Sequence, residues 1–267
     1  MHDRKVLRAV LGFLYSHLFF LYWPLYRAYK KRADAHERAW IRGFVRPGDA
    51  IVDVGANVGV YSVFFSGLVG PKGRVFSFEP DPQNFIRLTR TTASHRPVAA
   101  FESAVGSQTG SIRLFQSKGL NFDHHTYANP DDVQSVEVPI TRLDDVEALR
   151  GVEIALIKID VQGFEPAVLI GAQELLARNP KAKLLLEYYP WGLRSSGSGP
   201  EAFIELLRAR EYVVTTFTDE PDLLLTGVHK VHDRNWYRNL VLSHGLDTAV
   251  RGMTRVCLLY TSPSPRD

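Results

Sequence analysis

Cysteine is nearly missing from this chain: there is one, Cys257, in 267 residues. A lone thiol excludes a disulfide framework and a cysteine-built zinc site. The nine histidines contain no His-x-x-x-His pair backed by a third ligand, so the sequence carries no metal signature. Neither sign of charge is in large excess, since 32 Lys and Arg stand against 29 Asp and Glu. With 45% hydrophobic and 23% charged residues, the composition is that of a globular protein and excludes a disordered or fibrous one. The length suits one α/β domain with an appendage rather than two full domains.

The small net charge of +3 hides an asymmetry. Residues 1–40 hold eight basic against three acidic side chains, which is +5 and leaves −2 for the rest. A nucleic-acid binder would carry its basic face on the folded body, so no nucleic-acid partner is expected. Ala9 to Tyr26 has no formal charge, His17 being taken as neutral, and is flanked by Arg4, Lys5 and Arg8 on one side and Arg27, Lys30, Lys31 and Arg32 on the other. As one helix it would reach roughly 27 Å, just short of a ~30 Å hydrocarbon core. Leu7, Leu11, Leu14, Leu18, Leu21 and Leu25 make a continuous stripe at helical spacing. Aromatic residues crowd its other faces, and Tyr and Trp favour the headgroup region. No small-x-small cleavage site follows, which argues against a cleaved leader. Two expectations stand: a cytoplasmic protein whose arm touches a membrane surface, or an arm packed on the domain or on a second copy.

From Arg46-Pro-Gly-Asp49 the texture changes. Strands are expected at Ala50–Val54, Arg74–Phe78, Val98–Val105, Ile154–Ile159, Lys183–Tyr189, Tyr212–Phe217 and Asn239–Ser243. Helices are expected at Val60–Leu68, Pro82–Ser94, Glu165–Ala177 and Pro200–Arg210. This alternation specifies a mostly parallel α/β sheet covered by helices on both faces, with the apolar N-terminal helix added. The division expected is an arm over 1–40, a body over 41–245 and a tail over 246–267. The final stretch, 257–267, breaks the pattern: it looks like translated sequencing adapter, or else is a Ser/Pro tail, and is left out of the fold.

The chemistry centres on Asp53-Val-Gly-Ala-Asn-Val-Gly59, between the first strand and the first helix of the body. Glycines there let the backbone turn tightly and come close to a ligand. Glu79 ends the next strand, twenty residues after Gly59, where a carboxylate can take ribose hydroxyls. A dinucleotide site wants Gly-x-Gly-x-x-Gly, yet the spacing here is Gly-x-x-x-Gly with Asp53 just before it. A carboxylate suits an ammonium group better than a pyrophosphate. S-adenosylmethionine, which has an ammonium group and no phosphate, is therefore favoured over NAD.

Asp53-Val-Gly-Ala-Asn-Val-Gly-Val-Tyr-Ser62, Phe76-Ser-Phe-Glu-Pro-Asp-Pro82 and Ile157-Lys-Ile-Asp-Val-Gln-Gly-Phe-Glu165 together resemble the FkbM-type methyltransferases. The likeness extends to Asn121-Phe-Asp-His-His-Thr-Tyr127 and Leu184-Leu-Leu-Glu-Tyr-Tyr-Pro190 and covers roughly residues 40–243. It implies a class I, Rossmann-like fold and methyl transfer from S-adenosylmethionine to an oxygen. The acceptor class implied is a saccharide, glycolipid precursor or similar small hydroxylated molecule. By position, Asp53, Gly55, Asn57 and Gly59 would surround the methionine part, Glu79 the ribose, and Ser103 with Ala104 the adenine. Asp160 would point toward sulfonium and acceptor. One departure is visible: the family usually has Asp-Val-Glu-Gly where this chain has Asp160-Val-Gln-Gly163. Gln162 can hydrogen-bond but cannot serve as base or counter-ion.

An alcohol acceptor must lose a proton, and a positioned base adds ~10²–10⁴ in rate. His125 is the first candidate and His124 the second, because imidazole titrates near working pH. Asp160 and Glu187 are the carboxylate alternatives. Asp131, Asp132, Asp144 and Asp145 read as a solvated loop and a helix N-terminus rather than a metal site. Tyr188, Tyr189 and Trp191 offer either a stacking surface for a sugar or core packing. The rival readings are an NAD-dependent oxidoreductase on the same sheet and a non-catalytic adenosine-binding scaffold.

Overall fold

The computed structural model describes residues 2–117, 125–128, 132–218, 222–244 and 253–256. Three helices come first: α1 (His2–His17), α2 (Phe19–Ala33) and α3 (Ala35–Phe44). The body continues with β1 (Ala50–Val54), α4 (Val60–Val69), β2 (Arg74–Phe78), α5 (Pro82–Thr92), β3 (Val98–Phe101), β4 (Ala104–Val105), β5 (Gly110–Ser117) and β6 (Asp132–Thr141). Next come β7 (Ile154–Ile159), α6 (Glu165–Ile170), α7 (Gln173–Arg178), β8 (Lys183–Tyr188), α8 (Pro190–Ser195) and α9 (Pro200–Ala209). The order closes with β9 (Val213–Thr216), α10 (Leu223–Val228), β10 (Arg238–Ser243) and β11 (Thr254–Arg255).

The main sheet has the order β11-β9-β10-β8-β7-β1-β2-β3, and β4-β6-β5 form a second, three-stranded sheet. Strands β3, β2, β1, β7 and β8 run parallel, with β10 inserted antiparallel between β8 and β9. All five residues of β1 are buried, as a central parallel strand covered on both faces requires. Strand alternation sorts them: Ala50, Val52 and Val54 join the larger apolar cluster, whereas Ile51 joins the cluster with Phe65, Val75 and Leu156. Asp53 shares the side of Ile51, under α4. Chain order reverses between β1 and β7, which opens the crevice where sheets of this kind bind ligands.

Three sequence expectations need correction. The arm is not one helix with a leucine stripe. Leu18 leaves helical geometry (φ −129°, ψ 48°) and separates α1 from α2. The residues that dock are Tyr15 and Tyr22, packed with Val58 and Val60, while Leu21 and Leu25 stay exposed. The kink puts the leucines on either side of it out of phase, and the tyrosines present the larger surface to the domain. Each docked ring is worth on the order of 2 kcal/mol by area. Arg87 stacks its guanidinium 3.5 Å over Tyr15 and donates to the Tyr15 carbonyl at 2.8 Å. Among the described residues, no helix is long and apolar enough to cross a membrane.

The strand expected over 98–105 is two strands in two sheets. β3 pairs with β2, and Ala104 and Val105 pair instead with Ile140 and Thr141. An apolar run does not reveal where it changes partner. The helix expected over 165–177 breaks at Gly171, where an added Cβ would lie 1.9 Å from the Gly106 carbonyl oxygen. Two chain segments cross there, and only a glycine lets them. Asp144 then serves as a cap, accepting from Glu174 N (3.2 Å) and Leu175 N (2.8 Å) at the start of α7. Asp131 and the tail 257–267, with Cys257, lie outside the described residues.

Candidate active site

A cavity of 1190 Å³ opens at the C-terminal ends of β1, β2, β7 and β8. Its floor is the turn after β1. Gly55 there has φ +76°, and a Cβ on it would lie 1.9 Å from the Asp160 carbonyl oxygen, so the loops after β1 and β7 touch only because the residue is glycine. Asn57 also adopts left-handed backbone, at φ +50°.

The amides of this turn are committed internally. Gly55 N and Ala56 N donate to the Phe78 carbonyl at 3.0 and 2.9 Å, and Gly59 N donates to Ala56 O at 2.9 Å. Asn57 N donates to Glu79 Oε2 at 2.8 Å, and Val58 N to Asn57 Oδ1 at 2.7 Å. A pyrophosphate cradle needs N–H groups aimed outward, and here none of the five is free for one.

Glu79 braces the turn from β2. Its Oε1 accepts from Asp81 N at 3.0 Å, so each carboxylate oxygen holds one backbone amide. Burial pushes its carboxyl up to about 8, against the opposing pull of the Asp81 and Asn57 amides. Ser103 and Ala104 line the cavity beyond Glu79, and Ser103 Oγ donates to the Ala104 carbonyl at 2.8 Å.

The structure does not put Asp53 in the cavity. Strand alternation turns it under α4, where it is fully buried and Oδ2 accepts from Ser62 Oγ at 2.7 Å. Its Oδ1 faces the Lys158 ammonium at 3.8 Å. The expectation of an Asp53 carboxylate meeting a cofactor's ammonium is therefore corrected, and the exposed negative charge belongs to Asp160. Gly59 likewise stays off the wall: a Cβ there would lie 2.8 Å from Thr91 Oγ1, so it serves packing against α5.

Asp160, Gln162 and Glu187 come together where β7 and β8 end. Gln162, at φ +55°, donates through Nε2 to Glu187 Oε2 at 2.9 Å and to Asp160 Oδ1 at 3.3 Å. Lys158, buried and opposite Asp53 in the β1–β7 register, pairs with Asp160 Oδ2 at 3.3 Å. Burial alone would push this ammonium down, but Asp160 and Asp53 hold it above the ordinary lysine value. Burial would equally raise Asp160, yet Lys158 and, at longer range, Lys30 keep it below the usual carboxylate range. Glu187 goes the other way, well above its ordinary value, through burial and then the charges of Asp160 and Glu165. Two neighbouring carboxylates thus separate in acidity, as acid–base sites require. Lys158 was missed by sequence reading; its signal was a lysine inside the otherwise apolar strand Ile154–Ile159.

His125 is buried on the cavity wall beside the second sheet. It exchanges backbone hydrogen bonds with Phe115 (2.8 and 3.1 Å), and its ring stacks on Tyr127 at 4.5 Å. His124 lies outside the described residues. Tyr189 and Trp191 line the cavity. Tyr188 does not: it is fully buried, with its hydroxyl donating to Leu224 O at 3.0 Å. Sequence reading also missed the far wall, where Tyr26, Tyr29 and Lys30 of α2 face Arg234 and Tyr237.

The profile of the methyltransferase FkbM domain matches residues 53–214. The chain belongs to the FkbM methyltransferase family. The matched FkbM domain is of the S-adenosylmethionine-dependent type, and S-adenosylmethionine is its cofactor. It is 30% identical over 171 residues to the 31-O-demethyl-FK506 methyltransferase FkbM of Streptomyces tacrolimicus, a match over 52% of this chain and 65% of that protein. It is 29% identical over 186 residues to the 2-O-methyltransferase NoeI of Sinorhizobium fredii, over 63% of this chain and 74% of that one. Among solved structures, methyltransferase FkbM from Methylobacillus flagellatus aligns at a TM-score of 0.47 and 20% identity, over 75% of this chain and 45% of that chain. The FkbM domain here thus spans slightly less than two thirds of the first relative's length.

The residues present fit this cofactor. Its positive methionine end would be met by the partly exposed carboxylate of Asp160, and its lack of phosphate would suit a turn with no amides to offer.

Proposed function

We propose that this FkbM-family chain transfers a methyl group from S-adenosylmethionine to a hydroxyl of a small saccharide-like acceptor, a free sugar or a glycolipid precursor. The observation carrying this reading is the division of the cavity: a turn with committed amides at one end and the Asp160–Gln162–Glu187 cluster at the other. S-adenosylmethionine, when bound, supplies a methyl carbon activated by the adjoining positive sulfur. Glu79 takes the ribose hydroxyls, Ser103 and Ala104 the adenine, and Gly55 and Asn57 the methionine backbone. Asp160 balances the positive charge of the donor from its ionised side chain. Alignment of the acceptor for in-line attack supplies ~7–11 kcal/mol of the barrier reduction.

Glu187 accepts the acceptor's proton. Its raised affinity for protons makes it the stronger base of the two carboxylates, and Gln162 fixes the orientation of that carboxylate by donating to Oε2. His125, which also lines the cavity, is the second candidate. Two relatives, one named a 31-O-demethyl-FK506 methyltransferase and the other a 2-O-methyltransferase, support an oxygen acceptor. The saccharide reading rests on aromatic surface: Tyr26, Tyr29, Tyr127, Tyr189, Trp191 and Tyr237 ring the acceptor end, and such faces stack on the C–H faces of sugars. The arm meets a membrane surface in this reading, and residues 41–245 form the catalytic unit.

Calorimetric titration with S-adenosylhomocysteine and with NAD tests the donor, and a screen of hydroxylated acceptors with methyl-labelled donor tests the reaction. Saturable binding of NAD alone would end the reading. So would an acceptor that takes the label on nitrogen or carbon.

A further inference from the structure

The arm has two faces with different partners. Its inner face is spent on the domain through Tyr15 and Tyr22. Its outer face carries Val10 and Phe13 on α1 and Phe20, Leu21, Leu25 and Tyr29 on α2, all exposed, with Phe20 at 71% and Tyr29 at 66%. Leu21, Leu25 and Tyr29 recur at four-residue spacing, so they form one stripe along α2. Exposed Arg27, Lys31 and Arg32 follow at its C-terminal end. A large apolar stripe bordered by cations is complementary to an anionic lipid surface, which offers hydrocarbon to the first and negative headgroups to the second. The same helix on a second copy carries no acidic residue along α2 to meet those cations.

The stripe is also continuous with the cavity. Leu25 and Tyr29 belong to both, and Lys30, paired with Asp34 at 3.0 Å, forms the next step inward toward Asp160 and Glu187. Cavity mouth and apolar face therefore lie side by side.

We infer that the outer face of the α1–α2 arm docks on an anionic membrane surface and sets the cavity mouth against it, so that the acceptor is a membrane-borne amphiphile whose head enters along α2. This rests on the methyl-transfer reading for what happens at the head, but not for the docking itself. An acceptor with a lipid tail reaches Glu187 without leaving the bilayer, and the rest of the sheet stays in water.

The test uses the full chain with a Cys257→Ser background for labelling. Flotation is measured with phosphatidylcholine vesicles and with vesicles containing about a third phosphatidylglycerol. The chain is expected to float with the anionic vesicles and much less with the neutral ones. Phe13→Asp with Phe20→Asp and Leu21→Asp, none of which lines the cavity, should cut anionic-vesicle binding roughly tenfold or more. Unchanged affinity for S-adenosylhomocysteine in that variant shows that the fold persists. An environment-sensitive dye at Tyr237→Cys, on the cavity rim, should shift to the blue on vesicle addition, whereas one at Lys181→Cys, at the opposite end of β8, should not. The inference is overturned if the chain stays unbound, if the triple variant floats as well as the parent, if both dyes respond alike, or if the face is covered by a second copy in solution. Failure to bind S-adenosylhomocysteine would sink the methyl-transfer reading and leave the flotation result standing.

Discussion

Replacing Lys158 by Met is the sharpest probe of the buried charge cluster. The ammonium sits 3.8 Å from Asp53 Oδ1 and 3.3 Å from Asp160 Oδ2, with a side chain almost wholly out of solvent. Asp160 reaches water and can be rescued by it. Asp53 cannot: it is fully buried, Oδ1 has no hydrogen bond, and only Ser62 remains on Oδ2. Removing one partner of such a pair costs about 3–5 kcal/mol, because the other charge stays buried alone. At about 2–4 °C per kcal/mol for a chain of this size, the melting point should drop roughly 6–20 °C. The loss should depend on pH with a definite sign. Burial already raises the Asp53 carboxyl above its ordinary value in the folded protein, and Lys158 is the main influence opposing that. Without the lysine the rise grows, so the folded state keeps a proton that the unfolded chain releases, and stability falls as pH increases. The variant should therefore lie closest to the parent near about pH 5 and furthest from it near about pH 8. Thermal unfolding followed by circular dichroism at both values measures this. Adding Asp53→Asn should restore most of the loss. A Lys158→Met protein that melts like the parent at both pH values would refute the claim that Lys158 sustains the Asp53 charge.

Three further outcomes follow from the site. The Glu79 carboxyl, raised to about 8 by burial, must ionise to accept ribose hydroxyls, so affinity for S-adenosylhomocysteine should climb with pH and level off above about 8. Glu79→Gln should flatten that profile in calorimetry and weaken binding, and a parent profile already flat would count against the ribose role. Gly55→Ala sets a Cβ 1.9 Å from Asp160 O in left-handed backbone, so donor binding should fall below detection, checked by the same titration. Gln162→Glu places a further carboxylate beside Glu187 and Asp160. Chemical denaturation should find it less stable than the parent by about 1–3 kcal/mol at pH near 8, with recovery at acid pH.

Most of the sheet was readable from pattern. Ala50–Val54, Arg74–Phe78 and Ile154–Ile159 each stand in the structure with the bounds their apolar runs suggest, because buried parallel strands are short, apolar and punctuated by turns. What failed was long-range. Val98–Val105 reads as one strand because nothing local marks the point where Ala104 leaves β3's sheet for β6. Gly171 reads as a tolerable helix glycine because its reason for existing, the Gly106 carbonyl, is sixty-five residues away in sequence. In the site, the glycine turn and Glu79 were legible as neighbours, since a strand-turn-helix unit and the end of the next strand meet at a fixed place. The direction of Asp53 was not, although alternation along β1 held the answer: a residue in phase with Ile51 points under α4. The α2 wall was invisible because an amphipathic helix does not announce which of its faces meets the domain.

The turn after β1 has a consequence for selectivity among nucleotides. Every amide from Gly55 to Gly59 already holds an oxygen of its own chain. A polyphosphate arriving there finds no donors to replace its hydration shell and would have to set its charge near Asp160 and Glu79. The expected outcome is that ATP and NAD bind far more weakly than S-adenosylhomocysteine in the same calorimetric titration, because of what the loop withholds rather than any steric barrier. The same self-satisfied loop needs no rearrangement when a phosphate-free adenosine compound settles, which spares that ligand the entropy cost of ordering it.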